Sequence, residues 1–84
     1  MPEISRFYGI TIKMYFLARE HNPPHIHAIY NKNIAVIDIQ TLEVIKGEIP
    51  KRALKLVKEW IFIHKKEIKD ILETQQFKKI EPLN

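Results

Sequence analysis

The stretch HIHAIYNKNIAVIDI, residues 25–39, decides the fold. Two runs rich in β-branched and aromatic residues, 25–30 and 34–39, flank the polar triplet Asn31-Lys32-Asn33. Asparagine tolerates the left-handed backbone that a tight turn requires, so the stretch reads as an antiparallel hairpin. Two registers are open. A two-residue turn at Asn31-Lys32 pairs Tyr30 with Asn33 and sets His25 opposite Asp38. A three-residue turn, with Asn33 left-handed, pairs Tyr30 with Ile34. It puts the histidines on one face with Ala35, Ile37 and Ile39. Asn33 suits the left-handed position, so the second register is the expected one.

Strands continue on both sides of the hairpin. In ITIKMYF, residues 10–16, Ile10, Ile12, Met14 and Phe16 alternate with Thr11, Lys13 and Tyr15, the period of a half-buried strand. Pro23-Pro24 cannot lie inside a strand, because neither nitrogen donates to the ladder. After a turn at Gln40-Thr41, residues 42–46 make a short fourth strand. The period then changes. Pro50 fits a first helical turn, and Leu54, Val57, Ile61, His64, Ile68 and Ile71 follow 3-4 spacing, flanked by Ala53, Leu56, Trp60 and Leu72. A helix of about 25 residues is ~37 Å long and overhangs so small a sheet unless it breaks or serves a partner. The overhanging Ile68, Ile71 and Leu72 make a homodimer an expectation. The fold class is therefore α+β: an antiparallel meander of about four strands with one long amphipathic C-terminal helix on one face. A single domain is expected over 1–84, with the sheet at about 8–46, the helix at about 50–74 and a tail at 75–84 that docks or frays.

Composition narrows the function classes. The 84 residues are 45% hydrophobic and carry a net charge of +4, a modest excess that permits an acidic partner without demanding one. There is no cysteine, which excludes disulfides, thiolate metal sites and a cysteine nucleophile. Two glycines are too few for a phosphate-cradling loop. No apolar run approaches the roughly 20 residues of a membrane span, and the first ten residues show no leader pattern. A cytoplasmic location is the expectation.

Chemistry concentrates in HNPPHIH, residues 21–27, which holds three of the four histidines. His25 and His27 lie two apart on a strand, so they share a face about 6.8 Å apart at the backbone. Three readings stand. A stiff Pro-Pro approach can simply hold histidines that bond to backbone or water. His21, His25 and His27, with Asp38 or Glu20, can make a zinc site of three protein ligands plus water. Paired imidazoles titrating near neutrality can instead act as general acid and base in metal-independent RNA cleavage, with His25 and His27 catalytic and His21 assisting. His64, on the apolar stripe, reads as a boundary residue, although the helix can bring it near His25 and His27. Trp60 reads as core.

A second candidate is basic. Lys51, Lys55, Lys58, Lys65 and Lys69 line one edge of the helix, with Arg52 and Lys66 adjacent and Phe62 among them. Lysine is the default exterior residue, and Glu59, Glu67 and Asp70 partly balance the row, so a solvated face is one reading. The other is a ridge for phosphates or an acidic partner. Seven phosphate contacts would give a log–log salt slope on the order of −5 to −6.

ISRFYGI, HNPPHIHA, AVIDIQTLEVIKGEIP, KRALKLVKEW and KKIEPL together make the chain resemble the small prokaryotic domain of unknown function 4160 family, from about Ile4 to Leu83. The family pattern includes Arg6, Phe7, Tyr8, Gly9, the run from His21 to His25, His27, Asp38, Gly47 and Pro50. Trp60 and His64 also fit it. Two departures are an enlarged approach at Leu17-Ala18-Arg19-Glu20, and Ile29 where a charged residue is common. The resemblance implies an unassigned activity and a toxin–antitoxin-like gene pair. The expected function is thus a component of a two-gene unit. It would contact RNA, DNA or the neighbouring gene's protein through Lys51, Arg52, Lys55, Lys58, Lys65 and Lys69, with no cofactor. The alternatives are a zinc-binding, hydrolytic protein using HNPPHIH, and a purely structural protein-interaction domain.

Overall fold

A computed structural model describes residues 3–14, 25–74, 76 and 78–83. Among these described residues, five strands form one antiparallel sheet in chain order: β1 (Glu3–Phe7), β2 (Ile10–Met14), β3 (His25–Tyr30), β4 (Asn33–Asp38) and β5 (Val44–Gly47). Two helices follow, α1 (Lys51–Ile63) and α2 (Lys65–Thr74). The fold class is α+β, as the alternating and then helical periods imply, with two corrections.

The first correction is a fifth strand. Residues 3–7 pair with β2 through a turn at Tyr8-Gly9, where φ is 49° and 79°. Positive φ at both central residues belongs to the hairpin turn that matches strand twist. A tyrosine in the first position hides that signal in the sequence. Residues 15–24 lie outside the described residues, and with them the expectations for Tyr15, Phe16, Glu20, His21 and Pro23-Pro24.

The second correction is to the helix. It is interrupted at His64, which has φ −105° and ψ 21°, well away from the helical ψ near −42°. A straight helix over residues 51–74 would be about 36 Å long, whereas the longest dimension of the molecule is 30 Å. The interruption resolves the mismatch. Ile68 and Ile71 return to the core and are fully buried, so the apolar overhang that suggested a helix-mediated dimer does not exist.

The core lies between the helices and one face of the sheet. Ile10, Ile12 and Met14 of β2, Ile26 and Ala28 of β3, and Ala35 and Ile37 of β4 meet Val57, Trp60 and Ile61 there, all fully buried. Trp60 is core, as its place beside the stripe implies. Its ring lies 5.7 Å from that of Phe7, and its indole N–H donates to the Glu81 carbonyl at 2.9 Å. That bond helps dock the tail, whose Ile80 N–H donates to Ile4 O on the edge of β1 at 2.7 Å.

At the other end of the sheet, Gly47 has φ 75°, and a Cβ there would sit 2.1 Å from the Ile34 carbonyl oxygen. Both the left-handed backbone and the close approach require glycine. Gly47→Ala is expected to lower unfolding free energy by at least ~1–2 kcal/mol. Urea denaturation followed by Trp60 fluorescence measures it, and an unchanged midpoint would contradict the placement.

Candidate functional site

The β3–β4 hairpin closes with a two-residue turn. Tyr30 pairs with Asn33 and His25 with Asp38, and Asn31, not Asn33, is left-handed at φ 56°. The expected three-residue register is therefore wrong. One residue of slip moves every side chain to the other face. Accordingly, His25 and His27 sit with Val36 and Asp38, while Ala35 and Ile37 point into the core.

Because Ile26 and Ala28 face the helices, strand alternation sends His25, His27 and Ile29 to the helix-free face of the sheet. Both histidines are half-buried there, with ring centroids 5.3 Å apart. Lys13 of β2 pairs with His27 from one side and Val36 of β4 from the other. Burial lowers the His27 pKa below its ordinary 6.5, and the neighbouring His25 lowers it further. Desolvation disfavours the imidazolium, and so does a second cation beside it. A pair of this kind, with one ring biased toward neutrality, has the elements of acid–base chemistry.

Asp38 has a different task. Its Oδ1 accepts the Gln40 and Thr41 N–H groups at 2.7 and 3.1 Å, its N–H donates to Glu43 O, and its C=O accepts the Leu42 N–H. These bonds build the turn into β5. Among the described residues, no group of three or more His, Asp or Glu is placed to hold a metal ion. The zinc set proposed from the sequence also needs His21, which lies outside those residues.

His64 does not join the pair. It sits on the helical side of the sheet, its ring 5.5 Å from Trp60 and its Nδ1 3.0 Å from Glu67 Oε1. Its role is at the helix interruption.

That interruption also divides the lysine row. On α1, Lys51, Lys55, Lys58 and Phe62 fall at steps of four, three and four on the outward side. Phe62 is 73% exposed. With Arg52 added and Glu59 subtracted, α1 carries a net charge of +3. On α2, Lys65, Lys66 and Lys69 meet Glu67, Asp70 and Glu73, a net charge of zero. Lys65 and Lys69 line a pocket with Ile39, Gln40 and Leu72, away from the α1 ridge. Two tyrosines outside the candidate site sets also reach the start of α1. Tyr8, 58% exposed, and Tyr30 line a cavity of ≈ 380 Å³ with Pro50, Arg52 and Leu56. They belong to different hairpins, so only the sheet order brings them beside Arg52.

Residues 9–71 match the family model described as "Domain of unknown function (DUF4160)". The chain belongs to this family. The match spans β2 to β5, the histidine pair, α1 and most of α2. Comparison with curated proteins and with solved structures gives no match. Among the described helices none is long and apolar enough to cross a membrane.

The His27 environment makes a pH prediction. The folded chain binds the His27 proton less readily than the unfolded chain does, so stability rises with pH across the interval between the two pKa values. This contribution is fully present above about pH 6.5 and is lost as pH falls through the lowered folded value. Nitrogen-detected NMR should show His27 titrating below its ordinary value. His25→Ala should raise that value without restoring it, because burial is the larger cause. A His27 that titrates normally would contradict the placement.

Proposed function

We propose that this domain binds single-stranded nucleic acid along the outward side of α1. In keeping with the family resemblance, we place it in a toxin–antitoxin-like two-gene unit. The observation that carries the reading is the make-up of that side: Lys51, Arg52, Lys55 and Lys58 against Glu59 alone, with Phe62 exposed among them. Cations that track a phosphate backbone, together with aromatic rings that take bases, are what a single strand requires. Tyr8 and Tyr30 beside Arg52 extend the surface past the start of the helix. RNA is favoured over duplex DNA because exposed rings engage unstacked bases.

A second reading rests on the paired imidazoles. His27, biased toward the neutral form, takes a ribose hydroxyl proton, and His25 protonates the leaving oxygen. In that case the substrate lies on the helix-free face, on the other side of the molecule from α1. The neighbouring gene's protein would occupy whichever face the nucleic acid leaves.

Binding of a short single-stranded RNA, followed by fluorescence anisotropy across a salt series, tests the first reading. Four phosphate contacts predict a log–log slope of about −3, shallower than an unbroken seven-residue ridge would give. Lys55→Glu with Lys58→Glu should weaken binding at least about tenfold and flatten the slope. Unchanged affinity would make the ridge a solvated face. The same samples judge the second reading, because RNA recovered intact after prolonged incubation removes it.

A further inference from the structure

The two edges of the sheet are finished differently. The tail bonds to β1 through Ile80 and Ile4. At β5 no described element pairs beyond the strand, and all four of its residues are exposed, Val44 at 36% and Ile45 at 50%. An unpaired edge is a template for another strand. The backbone and sequence of β5 indicate which strand it fits.

The Glu43 carbonyl points inward and accepts the Asp38 N–H at 2.9 Å. Antiparallel alternation then turns the Val44 N–H and C=O outward, toward an incoming strand. Val44 lies opposite Ile37, on the core side of the sheet. Lys46 lies opposite Val36, on the helix-free side, and the register shifts between these two pairs. Ile45 is thus the extra residue of a β-bulge. In an unbroken strand, residues three apart face opposite ways. Here the bulge brings Glu43, opposite Asp38, and Lys46 to the same helix-free side.

Those facts make β5 complementary to itself. We propose that β5 pairs antiparallel with β5 of a second copy across a two-fold axis at Val44. Val44 meets Val44, Glu43 meets Lys46 of the second copy, and Lys46 meets its Glu43. The two five-stranded sheets join into one of ten strands. The interface is isologous, as a closed dimer requires. A lysine on a sheet edge ordinarily turns incoming strands away. Glu43 answers it, so the edge accepts its own sequence and discourages others. The face that carries nucleic acid in the proposed function is not involved, so either idea stands without the other.

Sedimentation equilibrium on four proteins tests this: the unaltered chain, Glu43→Lys, Lys46→Glu and the double reversal. Both sites of change, Glu43 and Lys46, are exposed, and circular dichroism checks that each variant folds. The unaltered chain should dimerise with a micromolar Kd. Each single reversal sets like charges opposite each other twice per dimer and should raise Kd about tenfold. The double reversal restores both pairs and should recover the original Kd to within about threefold. The proposal is overturned by a chain still monomeric at about 1 mM, which would leave the edge to a partner's strand. A dimer indifferent to the single reversals would also overturn it, as would a double reversal that fails to recover.

Discussion

The pairing of Tyr30 with Asn33 is the constraint on which the rest of this molecule depends. A strand has a period of two, so the turn at Asn31-Lys32 sets which half of the hairpin is buried. With Asn31 left-handed, Ile26, Ala28, Ala35 and Ile37 form the floor on which Val57, Trp60 and Ile61 pack. His25 and His27 are thereby kept out of the core. A turn longer by one residue would hold the histidines with Ala35 and Ile37, and charging either one there would carry a large desolvation cost. The hairpin thus places the ionisable groups as well as the apolar ones.

The same constraint separates two surfaces that the linear sequence leaves undivided. The imidazoles lie on one side of the sheet and the α1 cations on the other side of the molecule, with the core between them. A short ligand therefore meets one or the other. The helix interruption sharpens the division. It confines the uncompensated charge to α1, because the α2 lysines are matched one for one by carboxylates. Asp70 of α2 also pairs outside the helix, with Lys78 of the tail at 3.7 Å.

Much of this was legible in the residues. Alternation through Ile10, Ile12 and Met14 and the 3-4 spacing from Leu54 onward identify the sheet, the helical segment and the buried side of each. Trp60 as core and His25 and His27 as a same-face pair also follow from period alone. Other features depend on information that period does not carry. The turn register rests on which of two asparagines adopts positive φ, a local choice that the whole core decides. The interruption at His64 has no proline or glycine to announce it. It follows from the mismatch between helix length and sheet width. β1 was hidden by Tyr8, an unusual residue at a left-handed turn position. The cavity shared by Tyr8, Tyr30 and Arg52 joins three elements, and only the strand order reveals it.

In the proposed function, nucleic acid meets α1 and not the histidine face. Titrating a short single-stranded RNA into isotope-labelled protein, and following backbone amides and imidazoles together by NMR, tests it directly. Binding along α1 predicts shifts concentrated at residues 51–62, strongest around Lys55, Lys58 and Phe62, with His25, His27 and Val36 unmoved. Shifts centred on His25, His27 and Val36, with α1 silent, would contradict it and move the function to the opposite side of the sheet.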